Sequence, residues 1–157
     1  MYASSTDESA GLLVGVYRGA VRDADYARAI ASIAACDANA VARGLVSTAL
    51  MITDAATPSP PPIWRQRMAK ANNGLLAERY YFAFVSPNLL IRGVFTAVLW
   101  LTRGRPGHHL MAFSDVGQAS QWLQTHTGHS PVAVRRLYDR ALQEASAADA
   151  PSQVRAG

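Results

Sequence analysis

Histidines, carboxylates, one cysteine and a few hydroxyls beside prolines are the groups through which this chain of 157 residues could do chemistry. His108-His109 and His126-x-x-His129 form two pairs, the raw material of a zinc site. Adjacent histidines in a strand point to opposite faces, however, and neither a cysteine cluster nor a helical His-Glu motif accompanies them. They read as solvated loop histidines, so no metal is expected. A nucleophile needs a base and an orienting group, and the chain has no Gly-x-Ser-x-Gly elbow, no paired catalytic carboxylates and no Cys-His arrangement. No catalytic residue and no cofactor is therefore assigned. Enzyme activity is kept as a third reading, resting on what Asp54, Arg92, Ser114 and a histidine could assemble at one rim.

Two groups point to binding instead. Ser86-Pro87 opens a helix whose first amides, with Asn88 beside them and Arg92 one to two turns along, could hold a phosphate or carboxylate. The plainer reading is that Ser86 caps the helix and the Arg92 stem packs on it while its head reaches water. The same helix is apolar around most of its circumference, although a peripheral helix should show one apolar stripe. Phe95, Val98, Leu99 and Trp100 are therefore candidate partner-binding residues, for a second copy in a homodimer, another protein or a lipid-like ligand. The alternative is that a C-terminal helix with Val134, Leu137 and Tyr138 covers this face from within.

These groups are carried by a regular alternation of elements. Leu12–Tyr17 reads as a strand, followed by a helix capped by Asp23 in which Tyr26, Ile30, Ile33 and Ala34 share a stripe and which ends near Asp37. Leu45–Ile52 is a second strand, buried on both faces. The prolines from Pro58 to Pro62 then lead into a helix with Trp64, Met68, Ala71 and Leu75 on one face. Tyr80–Val85 is the clearest strand, and the apolar helix follows it until Arg103-Gly-Arg-Pro106. Leu110–Phe113 is a fourth strand, Ser114-Asp115 caps the next helix with Trp122 and Leu123 inward, and Ser130-Pro131 opens the last. The order predicts an α/β domain: a four-stranded, mainly parallel sheet with right-handed crossovers and an extra C-terminal helix. Residues 1–10 read as a flexible leader, 11–145 as the domain and 146–157 as a disordered tail.

Composition narrows the setting. Half the residues are apolar, enough for one core without disulfides or metal. The net charge is +4, and the arginines are spread from Arg18 to Arg155 rather than gathered in a run, which argues against nucleic acid. Cys36 stands alone in an alanine-rich stretch, as a small buried hydrophobe would, and suits a reducing cytoplasm. No secretory leader is readable, and the most apolar segment, Leu89 to Leu101, falls short of the roughly 20 residues that cross a bilayer.

The order of elements, with Ser86-Pro-Asn-Leu-Leu-Ile-Arg-Gly-Val-Phe-Thr-Ala-Val-Leu-Trp-Leu101 and Ala119-Ser-Gln-Trp122, resembles a bacterial group of STAS-like domains over roughly Leu12 to Leu123. That resemblance implies the SpoIIAA-like fold and a non-enzymatic regulatory or scaffolding domain in signalling, binding a protein partner or itself. A small-molecule or lipid-like ligand binder with an apolar pocket under the apolar helix is the alternative. Antagonists of that family carry a phosphorylatable hydroxyl in an Asp-Ser-Ser-Gly type motif after the second long strand. Here Asp54 is followed by Ala55-Ala-Thr-Pro-Ser-Pro, so Thr57 and Ser59 are the candidate phosphoacceptors, without the glycine and with different spacing.

Overall fold

The computed structural model describes residues 1–101 and 104–149, with side chains described for 1–97 and 104–147. The elements are β1 (Tyr2–Asp7), β2 (Leu12–Tyr17), α1 (Asp23–Ala42), β3 (Ser47–Thr53), α2 (Pro62–Asn73), β4 (Tyr80–Val85), α3 (Leu89–Leu101), β5 (His108–Phe113), α4 (Val116–Thr127) and α5 (Pro131–Asp149). The expected alternation is present from β2 onward, and the aromatic, β-branched run Tyr80–Val85 is a strand over those same residues.

The sheet has five strands in the order β1-β2-β3-β4-β5, with β1 antiparallel to β2 and the other pairs parallel. The expectation of four strands is thereby corrected. The fifth comes from the residues read as a leader, whose serines and threonine hide the alternation that marks a strand. What builds it is turn chemistry at Asp7–Gly11: the Asp7 side chain accepts from the Ser9 amide at 3.1 Å, the Ala10 amide donates to the Asp7 carbonyl at 3.1 Å, and Gly11 sits at φ +65°. β1 then pairs along β2 and lays the buried Tyr2 ring beside Gly15, where no side chain stands in its way. At the other end α5 continues to Asp149, past the expected limit of the domain, and 150–157 lie outside the described residues.

Strand alternation divides the core in two. Leu13, Tyr17, Ala49, Met51, Tyr80, Phe82 and Phe84 point to one face and meet α1, α2 and α3. Leu12, Val14, Leu50, Ile52, Tyr81, Ala83 and Val85 point to the other and meet Ala119 and Leu123 of α4 and Val134 and Leu137 of α5. Consecutive parallel neighbours joined by crossovers of one hand put every crossover helix on the same side. That rule places α1, α2 and α3 together and leaves α4 and α5 to cover the opposite face. α5 packs across β1 and β2 there, so it does not cover α3.

Candidate functional site

The carboxyl ends of the parallel strands bring Arg18, Asp54, Ser86 and Ser114 to one rim. The rim is closed by its own hydrogen bonds. Asp54 accepts from the Gly19 amide at 3.0 Å, the Ala56 amide at 3.0 Å and the Thr57 hydroxyl at 2.7 Å, tying the loop after β2 to the loop after β3. Burial pushes the Asp54 carboxyl up, and these bonds outweigh it, so its pKa lies below the usual value. Asp115 caps α4 by accepting from the Gln118 amide at 2.9 Å. Ligands in open α/β sheets favour the crevice where strand order reverses. Here strand order never reverses, so no such crevice opens at the rim.

The candidate anion site is likewise occupied by the protein itself. Asn88 Oδ1 accepts from the Leu90 amide at 2.9 Å, the buried Ser86 hydroxyl accepts from the Asn88 amide at 3.3 Å, and Arg92 donates to the Ser86 carbonyl at 2.6 Å. Of the candidate phosphoacceptors, Thr57 is buried, its hydroxyl donating to Asp54 and standing 3.2 Å from the Tyr17 carbonyl, whereas Ser59 is exposed. His108 and His109 open β5 rather than lying in a loop, and they do face opposite ways: His108 packs near Tyr80 and His109 stacks on Tyr81 at 4.8 Å. His126 lies over the same Tyr81 ring at 5.9 Å, and His129 meets the Thr48 hydroxyl at 3.1 Å. Among the described residues no three His, Cys, Asp or Glu side chains gather as a metal site would require.

An apolar concavity lies instead between the sheet and the layer of α1, α2 and α3, and holds about 120 Å³; a larger, more polar one of about 540 Å³ lies among Tyr2, Ser4, Arg22, Arg28, Ser32 and Glu144. The floor of the apolar one is Tyr17, Met51, Tyr80, Phe82, Phe84 and Leu110, from four adjacent strands. Ile30 and Ile33 of α1, Met68 of α2, and Ile91, Val94 and Phe95 of α3 form the walls, and Pro58 and Pro60 also line it. Space remains because the facing helix positions Ala29, Ala34, Ala69 and Ala71 carry methyl groups where larger side chains would close the layer. Polar atoms are few. The Thr53 hydroxyl donates to the Val85 carbonyl at 3.3 Å and that of Thr57 is engaged as above; Arg65 and Asn72, two turns apart on α2, and the tyrosines Tyr17, Tyr26 and Tyr80 are the other lining residues that carry polar groups.

Phe95, offered as a partner contact, turns inward: its half-buried ring stacks on Phe84 at 4.3 Å and on Phe82 at 5.5 Å. Val98, Leu99 and Trp100 lie outside the residues whose side chains are described. The crevice residues of α1 and α2 were missed as a site because an inward apolar stripe looks the same whether it is filled or not. The run of alanines on those stripes was the available signal. No family model matches the chain, and no curated protein or solved structure matches it either. No helix among the described residues is long and apolar enough to cross a membrane.

Proposed function

We propose that this chain is a non-enzymatic binding module whose crevice beneath α3 takes an apolar small molecule, the size of one ring or a short stretch of alkyl chain. The observation that carries the reading is the crevice itself, apolar on the sheet floor and on all three helices. A cavity of comparable size, roughly 150 Å³ and lined by aliphatic and aromatic groups, stays dry and binds benzene in another protein. Water gains too few partners in such a space, and a hydrocarbon recovers the dispersion contacts that its lining lacks. Resemblance to STAS-like domains supports a binding role over a catalytic one. A regulatory or scaffolding role through a protein partner rests on Phe95, Val98, Leu99 and Trp100, of which Phe95 turns inward and the other three have side chains outside those described, so the crevice is the firmer basis.

Methyl-resolved NMR with benzene as the probe tests this reading. Saturable shifts at Ile30, Ile33, Met51, Met68 and Ile91, with Leu12 and Leu50 on the opposite face unmoved, are expected. Uniform small shifts on both faces, or none, would show that the crevice does not bind.

A further inference from the structure

Helix α3 carries two apolar stripes. Ile91, Val94 and Phe95 face the sheet, and outward stand Leu89 (72% exposed), Leu90 (79%), Gly93, Thr96 and Ala97, with no charge among them. The Thr96 hydroxyl is turned back onto the Arg92 carbonyl at 2.9 Å, which spends its donor within the helix. Beside it on the same side of the sheet, α2 presents Ile63 (51% exposed), Arg67 and Lys70, at the i, i+4, i+7 spacing of one stripe. Arg67 is held over the Trp64 ring at 4.6 Å.

Along the sequence, charge is unevenly divided, and α2 itself carries Arg65, Arg67 and Lys70 with no acid. Residues 55–114 hold Arg65, Arg67, Lys70, Arg79, Arg92, Arg103 and Arg105 against the single acid Glu78, a net of +6, so the rest of the chain is −2. The ion pairs among the described residues all involve Asp7, Asp25 or Asp139, on β1, α1 and α5. The cations of α2 enter none of them.

We propose that the outer surface of α2 and α3 docks on an anionic lipid bilayer. Headgroup phosphates would meet Arg67 and Lys70, while Leu89, Leu90 and Ile63 enter the boundary between headgroups and acyl chains. A second copy is the poorer occupant, since a two-fold contact would set those cations against themselves. Single-stranded nucleic acid is also poorer, because the described outward residues here are aliphatic and offer no ring for bases to stack on. The crevice is walled on its inner side by these same two helices. The inference stands on the outer surface and does not require the crevice to be filled.

Co-sedimentation of the full chain with vesicles of phosphatidylcholine, alone or mixed with phosphatidylglycerol, tests it. Binding is expected to the mixed vesicles and to fall with added salt. Arg67→Gln and Lys70→Gln should each weaken it by roughly fivefold, from about 1 kcal/mol per surface cation. Leu90→Glu should abolish it with far-ultraviolet circular dichroism unchanged, because that side chain points outward, and Lys70→Arg should bind as wild type. Equal binding to both vesicle types, no binding to either, or indifference to the two glutamine substitutions would overturn the proposal. So would a wild-type dimer in light scattering that Leu90→Glu converts to monomer, or duplex DNA binding that depends on Arg67 and Lys70 but not on Leu90. Vesicle failure with the benzene titration intact would defeat docking alone.

Discussion

Asp25 and Asp54 each gather backbone donors from segments far apart in sequence. Asp25, with no exposed surface, accepts from the Arg22 amide at 2.8 Å and the Tyr2 amide at 3.1 Å, with Arg28 against it, and so fixes β1 to the start of α1. Burial raises both carboxyls, but the hydrogen bonds prevail and both pKa values lie below the usual range. The ionised forms therefore stabilise the fold above the ordinary carboxylate range, and that contribution is lost as pH falls through the folded-state values. Asp54→Asn should cost about 1–3 kcal/mol in urea unfolding at neutral pH, with the gap to wild type shrinking in acid. An undiminished gap in acid would mean that the carboxylate's charge is not what matters. Burial likewise lowers His129, so protonating it opposes folding, and stability should begin to decline below the ordinary imidazole range. His129→Gln should flatten that first decline in a pH series of melting temperatures. Burial pushes the Cys36 thiol up to about 11. A thiol reagent should leave the native protein untouched at neutral pH and react on unfolding. The sequence placed Cys36 correctly by its alanine-rich surroundings, whereas nothing in Asp54-Ala-Ala-Thr57 distinguishes an exposed acceptor hydroxyl from one folded back on its own aspartate.

Among the elements, β4 and α3 were legible because their residue types admit one reading: aromatic and β-branched residues between turn signals, then Ser-Pro and a long apolar run. β1 was not, because an edge strand is specified by its backbone and its turn more than by its side chains. Gly15 is the hidden sign of its docking, since a Cβ there would collide with the Tyr2 ring and the Met51 sulfur. Gly15→Ala should cost about 1–3 kcal/mol by overpacking, read as a lower midpoint in urea. A neutral substitution would mean that Tyr2 does not lie where β1 holds it. The outward stripe of α3 was visible as excess apolarity, but what covered it depended on which side of the sheet α5 would take, and that follows from the handedness of all the crossovers together. Phe95 sits where the inner stripe meets the crevice. Phe95→Ala should destabilise by about 2–3 kcal/mol and enlarge the site enough to admit naphthalene, for which wild type should show no saturable shifts.

At the scale of the molecule, the apolar crevice and the cationic, aliphatic exterior of α2 and α3 belong to one side of the sheet. The other side is filled by α4 and α5. This polarity could not be read along the chain, where the arginines look evenly spread. Only the folding of α2, with Arg65, Arg67 and Lys70, beside α3 brings cations and exposed leucines onto one surface, and only the packing of alanines opposite aromatics leaves the gap. Binding of an apolar molecule in that gap is the central claim. The most direct measurement is the set of intermolecular nuclear Overhauser effects from 1-decanol in wild type and in Ala71→Phe, which fills the gap from its α2 wall. Contacts from the alkyl chain to Ile33, Met68 and Ile91 in wild type, lost in Ala71→Phe, are the expected result. Contacts confined to Leu89 and Leu90, or contacts that persist in the filled variant, would contradict it.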